Sequence, residues 1–186
     1  VLAGGTALSL QVGHRHSFDF DLFFNREIGP KDTSKLKRCV RVKRIGLQTE
    51  RQIDIITAND ILINLVFFPF KPMFKKTGTF SLPLFAVKDI ALDKAFAIGR
   101  RATWRDYIDM FFLLKDNHIA LKEILRSAPK KFGPEFNERL FLEQLAYFKD
   151  VEVAKISFVK KSFSANEVKK FLLAEVRKHK KNILAT

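Results

Sequence analysis

The chain has 186 residues, 47% of them hydrophobic and 20 of them Phe, with 34 Lys and Arg against 20 Asp and Glu and a formal net charge of +14. That length and apolar content suit one compact domain, or a small core followed by a packed helical lobe, with most Phe side chains buried. One Cys, Cys39, excludes an internal disulfide and a Cys-based zinc cluster, and no apolar run is long enough to span a bilayer.

The excess positive charge favours a polyanionic partner, and nucleic acid fits best. With no signal-peptide pattern, a cytoplasmic protein without a membrane partner is expected. The chain begins at Val1 without an initiator Met, directly before a strand-like run, so a preceding segment is expected.

Residues 1 to 5 read as a short strand ending in Gly4-Gly5, and Thr6 to about Val12 as a helix with Ala7, Leu8 and Leu10 as apolar contacts. A Gly-Gly-Thr turn opening a helix offers backbone N–H groups to a phosphate. After the polar turn Gly13-His14-Arg15-His16-Ser17, residues 18 to 24 alternate Phe18, Phe20 and Leu22 with Asp19 and Asp21. Period-2 alternation predicts a strand with the Phe and Leu side chains on its core face and both carboxylates on the other. A turn that cradles phosphate and paired carboxylates that hold a divalent ion together suggest a bound nucleoside triphosphate. His14 and His16, without a third ligand in the loop, read as surface or supporting residues.

Residues 31 to 51 carry eight basic side chains, Lys31, Lys35, Lys37, Arg38, Arg41, Lys43, Arg44 and Arg51, against Asp32 and Glu50. This is a first candidate RNA surface, or a solvated helix and strand. Gln52 to Ile56 and Ile61 to Phe68 are β-rich and joined by Thr57-Ala58-Asn59-Asp60, which predicts an antiparallel hairpin. Centring the turn near Asn59 places Asp54 opposite Asn64, on one face of the pair.

Pro69, Pro72, Gly78 and Pro83 mark a connector, and the composition turns helical after it. Residues 1–86 are therefore read as a core and 87–186 as a helical lobe packed on it. Helices are expected from Lys88 to about Gly99, with Ile90, Ala91, Ala95 and Ile98 inward, and from Arg105 to Leu114, with Ile108, Phe111 and Phe112 inward. Gly99 to Thr103, including Ala102, joins them. Further helices are expected at about 119–127, 135–149 and 165–181. The last opens on Ser164-Ala165-Asn166-Glu167, a capping box, and buries Val168, Phe171, Leu172 and Val176. Its remainder, Lys169, Lys170, Arg177, Lys178, Lys180 and Lys181, is a second candidate RNA surface. Trp104 reads as packing between helices, with base stacking as the alternative.

Two blocks resemble the AbiEii-type nucleotidyltransferase toxins, within the polymerase-β-like nucleotidyltransferase superfamily, which includes the mycobacterial MenT toxins. The first is Ala3-Gly4-Gly5-Thr6-Ala7-Leu8 with Gly13-His14-Arg15-His16-Ser17-Phe18-Asp19-Phe20-Asp21. The second is Lys88-Asp89-Ile90 through Lys94, then Arg101, then Arg105-Asp106-Tyr107-Ile108-Asp109. The resemblance spans about residues 1 to 114 and implies an α+β fold, a mixed-sheet nucleotidyltransferase core followed by a helical lobe. It implies that Asp19 and Asp21 hold Mg²⁺ or Mn²⁺, that Gly4, Gly5, Thr6, Arg15, Ser17, Lys94 and Arg101 bind the NTP, and that Lys94 and Asp106 join in catalysis. Asp109 is read as a structural hydrogen-bonding residue. Arg105 stands where the family has Lys, and Asn64 where its third carboxylate is expected, so Asp54 is the candidate replacement as a metal ligand.

The function so implied is transfer of a nucleoside monophosphate from an NTP to RNA, with the 3′ end of tRNA as acceptor, by the toxin of a toxin–antitoxin pair. Transfer to a protein side chain is the alternative acceptor chemistry. A domain that binds nucleotide or RNA without turnover is the alternative class, motivated by Asn64.

Overall fold

The computed structural model describes residues 1–79, 81–101, 103–159 and 161–184, with only the backbone of 180–184. Ala102 and the side chains of Lys180 and Lys181 therefore lie outside the described residues. The chain forms two compact units: Val1–Gln11 with Ser17–Ala86, and Val12–His16 with Val87–Thr186. The turn at residues 12–16 thus belongs to the helical unit although its flanks belong to the sheet.

In the first unit, β1 (Leu2–Ala3), β2 (Phe20–Phe24), β3 (Val42–Gln48), β4 (Gln52–Thr57) and β5 (Leu62–Phe67) form a mixed sheet of order β1-β2-β5-β4-β3. Only β2 and β5 run parallel; the other neighbours are antiparallel. The β4–β5 hairpin has the expected register, with Asp54 opposite Asn64. Its tight turn places Asp60 at φ 58°, a left-handed conformation that Asp tolerates better than most residues. Asn64 in turn pairs with Asp21, so Asp21, Asn64 and Asp54 stand in one row across three strands and share a face.

The opposite face is apolar. Ile53, Ile55, Ile63 and Leu65 are buried there with Ile28, and Leu22, Phe24, Leu36, Val40, Val42 and Ile45 pack against them. Leu36 comes from α2 (Pro30–Cys39), anchored at its start by Asp32, which accepts from the Gly29 N–H at 3.0 Å and from Arg26. Phe18 and Phe20 depart from the expected core face: Phe18 is 70% exposed and Phe20 36%. For Phe18 the reason is the ladder, whose first β2–β5 pair is Phe20 with Ile63, so Phe18 precedes the sheet and Phe20 stands in its terminal pair.

The second unit is built from α3 (Val87–Ile98), α4 (Trp104–Lys115), α5 (Leu121–Phe132), α6 (Glu138–Leu145) and α7 (Ala165–Leu184), while α1 (Gly4–Val12) belongs mostly to the first. Ile90, Ala91, Ala95 and Ile98 of α3 and Ile108 and Phe111 of α4 are buried, as their 3.6-residue spacing dictates. Helix α5 extends beyond its expected end, continuing through Pro129 because Lys131 and Phe132 at its C-terminus are buried. Helix α6 is shorter than expected, starting where Asn137 accepts the Leu140 N–H at 2.9 Å. The α7 capping box forms, with Ser164 N donating to Glu167 Oε2 at 2.8 Å and Glu167 N donating to Ser164 Oγ at 3.3 Å. Trp104 is buried, which settles it as a packing residue. Among the described residues no helix is long and apolar enough to cross a membrane.

Candidate active site

In the first unit the site begins where β1 turns into α1. Gly4 takes φ +65°, and a β-carbon there would lie 2.0 Å from Asp21 Oδ2. Only glycine meets both demands: it adopts a left-handed backbone without penalty, and it leaves room for the carboxylate. The carboxylate therefore sits at the N-terminal end of α1, where N–H groups without an intrahelical partner favour negative charge.

Asp21 is also fixed from β5, since Asn64 Nδ2 donates to its Oδ1 at 2.9 Å. Thr6 is buried, lies 3.1 Å from Ser17 Oγ and donates its hydroxyl hydrogen to the Asp19 carbonyl, which ties the first turn of α1 to the approach into β2. Gly4, Gly5, Thr6, Ser17, Asp19, Asp21 and Asn64 are thus gathered in one unit. The geometry of the Thr6 side chain is that of a brace.

Asp54 is not gathered with them. It stands on the same face one strand beyond Asn64, so its backbone is about 10 Å from that of Asp21, two strand spacings. Its Oδ1 accepts from Gln52 Nε2 at 2.8 Å. Among the described residues no three His, Cys, Asp or Glu side chains come close enough to share one ion. The expected three-carboxylate set is therefore not assembled among the described residues, and Asn64 stands beside Asp21 as a donor to it. Carboxylate oxygens such as those of Asp19 and Asp21 suit a hard divalent cation that completes its shell with water and substrate phosphate.

The second unit holds a closed ionic network. Lys94 Nζ lies 2.7 Å from Asp106 Oδ1 and 2.7 Å from Asp109 Oδ2. Asp109, fully buried, also accepts from Arg15 Nε at 2.7 Å, from Arg15 Nη2 at 3.0 Å and from His14 Nε2 at 2.8 Å. Thr103 Oγ1 donates to Asp106 Oδ2. Burial alone would lower the Lys94 pKa, but Asp109 and Asp106 raise it. Burial would likewise raise that of Asp109, yet Lys94, His14 and Arg15 hold it far below the carboxylate range. Two cations face two anions, so the network is balanced.

A second buried cluster was not anticipated from the sequence. Lys131 of α5 lies 2.9 Å from Asp89 Oδ1 and 2.7 Å from Asp93 Oδ1, both on α3. Here one cation faces two carboxylates, and burial raises the Asp93 pKa to about 6 against the pull of Lys131. The signal that could have revealed it is the i, i+4 spacing of Asp89 and Asp93, which places both on one helical face.

A family model described as nucleotidyl transferase AbiEii toxin, type IV TA system, matches residues 44–182. This chain belongs to that family. The matched span contains the Lys94–Asp106–Asp109 network but starts after Gly4 and Asp21. A protein of Aquifex aeolicus (strain VF5), aq_aa25, described as uncharacterized, is 29% identical over 97% of this chain and 88% of its own length. Among solved structures, the nucleotidyltransferase toxin MenT4 of Mycobacterium tuberculosis H37Rv superposes with a TM-score of 0.64 at 16% identity, over 95% of this chain and 73% of that one. JHP933 of Helicobacter pylori gives 0.55 at 15% identity, over 100% and 89%. These likenesses establish the α+β nucleotidyltransferase fold for this AbiEii-family chain.

Within that fold two of the residues implied as nucleotide-binding take part in ion pairs. Arg15 is 4% exposed and spends its fork on Asp109, and Lys94 is enclosed by two carboxylates. His14, read as a surface or supporting residue, is buried as a partner of Asp109. Arg101 and Arg105, beside the start of α4, are exposed.

Proposed function

We propose that this AbiEii-family chain transfers a nucleoside monophosphate from an NTP to an RNA acceptor, the 3′ end of a tRNA by family resemblance. It would act as the toxin countered by an antitoxin. The observation that carries this reading is the convergence of Gly4 and Asp21, a glycine-only backbone position built around a carboxylate at a helix N-terminus.

Asp19 and Asp21 would hold Mg²⁺ or Mn²⁺, and Asn64 would orient Asp21 through its amide N–H. A divalent ion bound there supplies charge neutralisation on the phosphate oxygens during displacement. The N–H groups of Gly5 and Thr6, in the first turn of α1, would take up phosphate oxygens. Arg101, exposed, keeps the phosphate-binding role that the family resemblance implies. Lys94 and Arg15, whose charges are matched by Asp106 and Asp109, we assign to holding that network.

The test is incubation of the chain with MgCl₂, each labelled NTP in turn and total RNA. Label in RNA that disappears with Asp21→Asn supports the reading. Label in protein transfers the acceptor role to a side chain. NTP binding with no label in any acceptor sinks the enzymatic reading and leaves a binding domain.

A further inference from the structure

The longest run of exposed basic residues in the first unit lies in α2 and the edge strand β3. All eight basic side chains of residues 31–51 are exposed. Of the two acids in that span, Asp32 is buried and neutralised by Arg26, which approaches it at 2.6 and 2.7 Å. Only Glu50 remains exposed there. Between the end of α2 and the edge strand β3 lies an open groove of about 520 Å³ lined by Lys37, Arg41, Lys43 and Arg44 together with Val40, Val42 and Ile45. Lys43 is paired with Asp60 at 2.6 Å, while Lys37, Arg41 and Arg44 have no ion pair among the described residues.

Val40, Val42 and Ile45 pack against the apolar face of the sheet, opposite the candidate site, and of the lining residues Arg44 is the one that reaches the other face across the edge strand. Arg44 pairs with Ile56, two residues on from Asp54, so Arg44 shares the face that carries Asp54, Asn64 and Asp21. Three strand spacings, about 14 Å, separate β3 from β2. Gly46 extends the row, its β-carbon position 3.5 Å from Asp54 Cβ.

We infer that this groove docks the phosphate backbone of RNA, a few nucleotides from the strand end that reacts at Asp19 and Asp21. The inference rests on the RNA-acceptor reading above and adds the surface that binds the acceptor. A cluster of one sign, with Arg and Lys around an open channel, attracts a polyanion from a distance and neutralises it on contact. An acidic peptide adding to the β3 edge is the lesser fit, because β3 shifts register against β4 between Val42 and Arg44 and again between Ile45 and Gln48. Such irregularities twist an edge away from regular strand addition. The basic face of α7 is the lesser competitor, since Lys169 is turned over the Trp104 and Phe148 rings.

The test compares Lys37→Ala/Arg41→Ala/Arg44→Ala with an equal charge loss on α7, Lys170→Ala/Arg177→Ala/Lys178→Ala. Binding of a short fluorescein-labelled single-stranded RNA is followed by anisotropy across a KCl series, without NTP or divalent ion, after thermal melts confirm both variants folded. The groove variant is expected to bind about tenfold more weakly or worse, with the log–log salt slope reduced by about 2, from three lost contacts at about 0.7 each. The α7 variant should stay near wild type. Equal losses in both variants, no loss in the groove variant, no RNA binding by wild type, or tighter binding of poly-glutamate than of RNA each overturns the inference. Transfer assays separate it from the parent reading. Transfer to RNA with an RNA KM unaffected by the groove variant defeats the groove alone, whereas groove-dependent RNA binding without transfer defeats the enzymatic reading alone.

Discussion

Gly4 and Asp21 are in contact in the sense that matters for substitution: any β-carbon at Gly4 would lie 2.0 Å from Asp21 Oδ2, on a backbone at φ +65°. Gly4→Ala must therefore strain the backbone, by about 1–2 kcal/mol, and displace the carboxylate as well. The expected outcome is a folded protein with a lowered melting temperature and transfer reduced at least as severely as in Asp21→Asn. Unchanged transfer in Gly4→Ala would show that the position of Asp21 is immaterial.

Asn64 yields a prediction of opposite sign with and without metal. Its amide donates to Asp21 at 2.9 Å, so Asn64→Asp replaces a donor with a like charge. Without divalent ions the variant should lose about 1–3 kcal/mol of stability at neutral pH and recover on acidification, as one carboxyl takes up a proton. MnCl₂ or MgCl₂ should restore the loss at neutral pH and bind more tightly than to wild type. Denaturant midpoints with and without ion decide; an ion that leaves the variant as unstable as before contradicts metal binding at Asp21.

The hairpin and its register are legible in the sequence because two β-rich runs flank one turn, which fixes every pair from Gln52–Val66 to Ile56–Leu62. The helices around Ile90 and Ile108 are legible because their apolar spacing has the helical period. Phe18 is not, because period-2 alternation identifies a face but cannot say where the neighbouring strand ends. Nor is the engagement of Arg15, which meets Asp109 across 94 residues of chain. Adjacency to a motif gives a residue's neighbourhood, while long-range ion pairing decides which way its charge is spent. Asp54 illustrates the same limit: its register partner follows from the turn, but its separation from Asp21 depends on β5 lying between them, and strand order is set by the whole sheet.

The Lys94 network should prove stabilising only as a whole. Lys94→Met leaves Asp106 without its ammonium partner and Asp109 with fewer cations, at a cost of about 3–5 kcal/mol. Asp109→Asn should behave similarly, because Arg15 and His14 then lose an anionic acceptor. The sign of the pH dependence follows from the raised Lys94 pKa: its contribution is complete below the unfolded value of 10.5 and fades as pH rises through the higher folded value. Urea midpoints of wild type should therefore fall in strong alkali more steeply than those of Lys94→Met.

Asp93 predicts a loss in a different window. Its folded pKa is raised to about 6, first by burial and then by Asp89, against the opposing pull of Lys131 and Lys94, while the unfolded chain releases the proton near 3.8. Between those values the folded state holds a proton that the unfolded state has lost, so this contribution is greatest below about pH 4 and declines as pH rises towards 6. Asp32 acts in the opposite sense at lower pH: lowered to about 2 by hydrogen bonds from Arg26 and Gly29, it stabilises above about pH 4 and loses that stabilisation on further acidification. Replacing Asp93 with Asn keeps the side chain's shape and removes the titration. The variant's urea midpoint should rise relative to wild type as pH increases from 4 to 6, with the difference levelling above 6. A difference that stays constant across that range would mean that Asp93 is ionised throughout, with Lys131 shared between two charged carboxylates.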